Sequence, residues 1–132
     1  MNHYYLGIDI GGTKCAVIAG TEDMTILRKT VFNTEIHKGP GHAIGLLLNA
    51  ASELAVSLGI ENLKAIGISC GGPLDSKKGI VQSPPNLPGW DDIPIVDLFR
   101  DKFKVPVYLQ NDANACALAE GTPERRTSPT PA

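Results

Sequence analysis

Two glycines in the middle of an alternating apolar run set the strongest limit on how this chain can fold. Leu6, Ile8 and Ile10 alternate with Gly7 and Asp9, the period of a strand. Gly11-Gly12 follows, and small β-prone residues resume from Cys15 to Ala19. The stretch Leu6 to Ile18 therefore predicts strand, tight turn and strand, with the glycines supplying the positive φ that a hairpin turn requires. Such a turn shows its backbone N–H groups with no side chain in front of them, which is how a loop cradles a phosphate. Thr13 adds a hydroxyl and Lys14 a positive charge, and Asp9 is placed to meet a metal or a metal-bound water. An ordinary ligand-free Gly-Gly hairpin carries the same pattern. Two other phosphate signatures are excluded. The spacings Gly-x-x-x-x-Gly-Lys-Ser/Thr and Gly-x-Gly-x-x-Gly are absent here, and both precede a helix rather than a strand.

Strands over about 4–10, 14–20 and 25–33, the last two joined by the polar turn Thr21-Glu22-Asp23, predict an antiparallel meander. His37-Lys38-Gly39-Pro40-Gly41 reads as a loop. His37 and His42 have no third ligand at a useful spacing, so they read as solvent-exposed loop histidines rather than metal ligands. A helix over about 42–58 follows, with Ile44, Leu47, Leu48, Ala51, Leu54, Ala55 and Leu58 on one face and Gly59 as its stop. Leu63 to Ser69 is a short apolar strand running into Cys70-Gly71-Gly72-Pro73. Strand, helix and strand in this order point to α/β layers.

Residues 73–94 are loop-rich, with Lys77-Lys78 as a solvated turn and Ile80-Val81 as a short strand. Ser83-Pro84-Pro85-Asn86-Leu87-Pro88-Gly89-Trp90 holds too many prolines for a regular element and is long for a plain connection. Trp90 reads as its anchor in the core, and Asn86 as a turn residue or a ligand-binding amide. Pro94 opens a helix, with Asp91 or Asp92 just upstream. Ile95, Leu98, Phe99 and Phe103 form its apolar face. Val105 to Leu109 is a further strand, ended by Gln110-Asn111-Asp112, and Ala113 to Glu120 reads as a helix of small residues. Asp112 is there either a helix cap or a general base. From Gly121 onward the chain turns to proline, threonine and arginine, the composition of a disordered tail.

Bulk properties narrow the class. A chain of 132 residues makes one modest domain with a real core. A net charge of −2 argues against a nucleic-acid surface. Cys15, Cys70 and Cys116 are far apart in apolar contexts, which fits buried free thiols in a reducing compartment. No run of 18 apolar residues and no basic-then-apolar leader is seen, so a cytoplasmic protein without a membrane partner is expected.

Four segments together become recognisable: Asp9-Ile-Gly-Gly-Thr-Lys14, Gly71-Gly-Pro-Leu-Asp75, Pro85-Asn-Leu-Pro-Gly-Trp90, and Asn111-Asp-Ala-Asn-Ala-Cys-Ala-Leu-Ala-Glu120. The chain from about residue 4 to 120 resembles the N-terminal lobe of the ROK family (repressors, open reading frames and sugar kinases). The resemblance implies a ribonuclease H-like, actin-type ATPase lobe. Its mixed five-stranded sheet would hold a three-stranded antiparallel meander plus parallel strands, with flanking helices. It also implies ATP-dependent phosphorylation of a hexose or N-acetylhexosamine hydroxyl. Asp9, Gly11, Gly12, Thr13 and Lys14 would meet ATP, with Asp9 reaching Mg2+ through water. Asp112 would be the general base, and Gly72, Asn86, Asn111 and Asp112 would bind the sugar. That chemistry is sensible. A sugar hydroxyl is a poor nucleophile and needs a carboxylate in reach, phosphoryl transfer otherwise needs alignment and charge neutralisation, and amides that both donate and accept suit a polyol.

Departures from the family pattern carry expectations too. Gly71 stands where the family commonly has proline in a Pro-Gly-Pro turn. The second lobe, with its Glu-x-x-x-Gly-His motif, cysteine-rich zinc site, second phosphate loop and adenosine pocket, has no counterpart after Gly121. The expected organisation is a kinase lobe over 1–121, a disordered tail over 122–132 from a frameshift or premature end, and a missing C-terminal lobe. The expected partners are a small sugar and ATP, with neither nucleic acid nor membrane, and a homo-oligomer is compatible with a full-length form. Two other readings stand beside the truncated kinase: a non-catalytic fragment, and a sugar-sensing regulator. Regulators of the family usually carry a winged helix-turn-helix before the lobe, and a hairpin starting at Leu6 leaves no room for one.

Overall fold

The computed structural model describes residues 3–23, 25–71, 74–75, 77–85 and 87–110. Its framework is the hairpin of β1 (Tyr4–Ile10) and β2 (Lys14–Gly20), continued by β3 (Ile26–Asn33). Both pairings are antiparallel, so the predicted meander is present. On the other edge of β1, β4 (Leu63–Cys70) pairs in parallel, and β7 (Val107–Gln110) pairs in parallel with β4. The five-stranded order is β3-β2-β1-β4-β7, the mixed sheet that the family resemblance implies. Parallel neighbours need crossover connections, which α1 (Pro40–Leu58) and α2 (Ile95–Phe103) supply.

One face of the sheet carries the main core. Tyr4, Leu6, Ile8 and Ile10 of β1 join Cys15 and Val17 of β2, Ile66, Ile68 and Cys70 of β4, and Leu109 of β7. Helix α1 contributes Ala43, Ile44, Leu47, Ala50, Ala51, Leu54 and Ala55 to the same core. This helix is long and apolar enough to cross a bilayer by composition alone, but its apolar stripe is spent on the sheet. The Tyr4 hydroxyl donates to the Ala55 carbonyl at 3.4 Å, tying strand to helix.

Several elements differ from expectation for identifiable reasons. Helix α1 starts at Pro40, not near residue 42, because a proline suits the first helical position, where no N–H is required. In α2, Pro94 is the residue before the helix, and its carbonyl accepts the first helical bond from Leu98 at 3.1 Å. Asp91 does not cap that helix; its carboxylate accepts the Ser83 hydroxyl instead. Leu98 faces solvent, and Val96 takes the inward position beside Ile95, Phe99 and Phe103. The last strand begins at Val107, since Pro106 has no N–H to give and only its carbonyl joins the sheet, accepting from Ile66 at 2.9 Å.

The loop-rich middle contains a small second sheet of β5 (Leu74–Asp75) and β6 (Ile80–Val81). Gly79 has φ +71°, and a Cβ there would come within 2.4 Å of Val96. Only glycine serves at that contact between hairpin and helix.

Candidate functional site

The C-terminal ends of β1, β4 and β7 lie at one edge of the sheet, because these strands are mutually parallel. Strand β3 ends there too, since two antiparallel steps separate it from β1. In open α/β sheets this edge is where ligands bind. The Pro-rich loop returns to it: a Cβ on Gly89 would lie 3.4 Å from Pro40 Cδ, at the start of α1. Trp90 anchors that loop and is fully buried. Ser83 N–H to Trp90 C=O at 2.7 Å and Leu87 N–H to Pro84 C=O at 3.0 Å fold the loop on itself.

Register places the side chains. Asp9 is abreast of Ser69, and Ser69 of Gln110, so the three lie side by side on one face. Lys14 precedes Ala16, the β2 partner of Asp9, by two residues, so it shares that face. Asp9 and Lys14 are exposed, Gln110 is half-buried and Ser69 is buried. A carboxylate, a cation, a hydroxyl and an amide therefore border one end of the sheet, on the face opposite the main core.

The turn itself departs from the expected geometry. Neither Gly11 nor Gly12 has a positive φ. Gly11 is required for space: a Cβ there would sit 2.8 Å from the Lys14 carbonyl oxygen, which accepts the Gly11 N–H at 3.1 Å. The N–H groups of Gly12 and Thr13 meet no backbone acceptor among the described residues. The turn thus keeps bare donors, as a phosphate cradle needs.

Thr34 holds this turn from behind, and reasoning from sequence misses it. It is fully buried. Its hydroxyl donates to the Gly11 carbonyl at 2.7 Å, and its N–H donates to the Thr13 carbonyl at 2.9 Å. A signal exists, since Thr34 continues the inward phase of Thr30 and Phe32 along β3. Ser69 escapes notice for a similar reason, as a polar residue next to the end of an apolar strand.

Beside Thr34, Glu35 adopts φ 53° and accepts from His42 Nε2 at 2.9 Å, with Lys38 Nζ 3.5 Å away. The His42 hydrogen bond and then the Lys38 charge lower the Glu35 pKa. His42 is therefore a helical residue with a carboxylate partner, not a loop histidine. Burial raises the Cys15 thiol pKa and pushes that of Cys70 up to about 12, helped by Cys15 and Asp9. Both thiols are free and buried.

The donor set suits a hydrated cation better than a protein cage. Among the described residues no group of three or more His, Cys, Asp or Glu could hold a metal, whereas Asp9 offers one exposed hard oxygen ligand. Mg2+ is commonly held in that way, through one or two carboxylates, waters and substrate phosphates. Gly72, Asn86, Asn111, Asp112 and Cys116 lie outside the described residues, as do the expected helix over 113–120 and the tail. Their described neighbours Gly71 and Gln110 sit at the C-terminal ends of β4 and β7.

Comparison with known proteins settles the family, since residues 5–128 match the ROK family model. The chain belongs to the ROK family. Its fold is that of the ROK sugar kinases. A ROK glucokinase from Streptomyces griseus, solved with glucose and AMPPNP, matches with a TM-score of 0.72 and 28% identity. The match covers 91% of this chain and 38% of that one. Among ROK relatives, the glucokinase of Thermotoga maritima is 36% identical over 115 residues, which cover 87% of this chain and 35% of the relative. A xylose repressor of Caldicellulosiruptor bescii is 30% identical over 87% of this chain and 29% of the repressor. The chain spans about a third of the length of the curated relatives it matches.

Proposed function

We propose that this chain supplies one wall of the cleft of an ATP-dependent sugar kinase acting on a hexose or N-acetylhexosamine. The observation that carries the reading is the placement of Asp9, the bare turn and Lys14 at the sheet edge where β4 and β7 also end. In this reading the Gly12 and Thr13 N–H groups and Lys14 bind and orient the ATP phosphates, and Asp9 holds Mg2+ through its water shell. When bound, Mg2+ neutralises charge on the phosphates. Gly72, Asn86 and Asn111 orient the sugar hydroxyls. Asp112 takes the proton from the attacking hydroxyl as its oxygen meets the γ-phosphoryl group. Adenosine contacts and closure over the substrate belong, by the family resemblance, to a second lobe, and closure is what excludes water. The reading places the protein in the cytoplasm, where ATP and sugars meet.

A thermal-shift titration with glucose, fructose, N-acetylglucosamine, N-acetylmannosamine and Mg·AMPPNP tests the binding half. At least one sugar and the nucleotide should raise the Tm, and a flat response to all of them sinks the proposal. In a coupled ADP-release assay the 132-residue chain should stay near background. In a form that also carries the second lobe, turnover that survives Asp112→Ala would remove the general-base role. The xylose repressor among the relatives favours a second reading, a sugar-responsive regulator, which would show sugar binding with no response to nucleotide.

A further inference from the structure

The peptide that joins Gly11 to Gly12 is a rigid plane in which C=O and N–H point in opposite directions. Thr34 draws the Gly11 carbonyl to its hydroxyl at 2.7 Å. The same hydroxyl lies 3.2 Å from Cys15 Sγ, on the sheet face opposite Asp9 and Lys14. A Gly11 carbonyl held toward that face turns the Gly12 N–H toward the other, where the carboxylate and the cation stand. The second bond from Thr34, N–H to the Thr13 carbonyl at 2.9 Å, pins the far side of the turn. Thr34 has no exposed surface, so water does not compete for its hydroxyl.

We infer that Thr34 is a positioning residue for phosphate binding, whose hydroxyl aims the Gly12 N–H at the polyphosphate through the Gly11 carbonyl. The inference rests on the turn being a phosphate cradle. It adds a residue that touches no ligand and lies on the far side of the sheet from the phosphate. Without the hydroxyl, the Gly11–Gly12 plane is free to rotate, and the donor must be ordered again at each binding event.

The test uses the 15N-labelled 132-residue chain titrated with magnesium tripolyphosphate. Wild type should show saturable shifts at the Gly12 and Thr13 amides. Thr34→Val, which keeps shape and removes the hydroxyl, should bind about five- to tenfold more weakly, the worth of one neutral hydrogen bond. Thr34→Ser should recover affinity to within about twofold of wild type, and Cys15→Ala, which leaves the Gly11 bond in place, should match wild type. A role in folding alone would not produce the serine recovery together with a loss at the Gly12 amide. Equal affinity in folded wild type and Thr34→Val overturns the inference while leaving the cradle intact. No saturable shift in wild type overturns the cradle and the inference with it. Should the valine variant lose its dispersed amide spectrum, Thr34→Ala takes its place: weaker binding supports the inference and equal affinity overturns it.

Discussion

Gly11 tolerates no methyl group: a Cβ would press on the Lys14 carbonyl oxygen at 2.8 Å, and backbone cannot yield as a side chain can. Gly11→Ala should cost about 1–3 kcal/mol, read from the denaturant midpoint, although the φ of Gly11 is permitted to alanine. Two acids in the core make a pH prediction. Cys70 rises from 9.0 to about 12 and Tyr4 from 10.0 to about 12, through burial and then Glu61. Each stays protonated in the native chain after it has ionised in the unfolded one. Stability is therefore intact below about pH 9 and falls from there toward about pH 12, by about 1.4 kcal/mol per pH unit per group. Thermal melts from about pH 8 to 11 check this. In Cys15→Ala/Cys70→Ala the onset should move up toward about pH 10, the ordinary range of the remaining Tyr4.

At the scale of elements, the Pro-rich loop depends on Trp90. Trp90→Ala should cost about 3–5 kcal/mol in a denaturation experiment and release the loop from the start of α1. The β1–β3 meander is legible in the sequence because β1 alternates and the turns after β1 and β2 are short. Leu6, Ile8 and Ile10 mark β1, the apolar run from Leu63 to Ser69 marks β4, and the Ile44–Leu58 stripe gives the inward face of α1. The rest is hidden where local chemistry yields to a distant partner. Asp91 lies just upstream of α2, but Ser83, eight residues earlier, takes its carboxylate. Leu98 and Val96 compete for the inward side of α2, and Gly79 admits Val96. The phase of β3 turns Thr34 inward but does not reveal its role, because its partners, the Gly11 and Thr13 carbonyls, are remote along the chain and belong to the backbone. The sequence offers Asp9 and Lys14 as candidate site residues, but the row of Ser69 and Gln110 beside Asp9 needs the register.

For the whole molecule, one cluster joins the residues under α1 to those under α2, with Trp90, Leu87 and Val81 among them. A single core predicts a single transition. Trp90 is the only tryptophan, so its emission should shift to the red at the same denaturant midpoint at which far-ultraviolet circular dichroism is lost. Separate midpoints would show that the layer over residues 80–103 melts alone. The strand order has a further consequence, for synthesis. β1 leaves the ribosome first but sits in the middle of the sheet, and Tyr5 pairs with Ala65. The meander can close from local contacts, while the other edge of β1 stays open until β4 emerges. During that interval the nascent chain carries an apolar, unpaired strand edge. A pause in translation before β4 would prolong it, and chaperone capture should concentrate there.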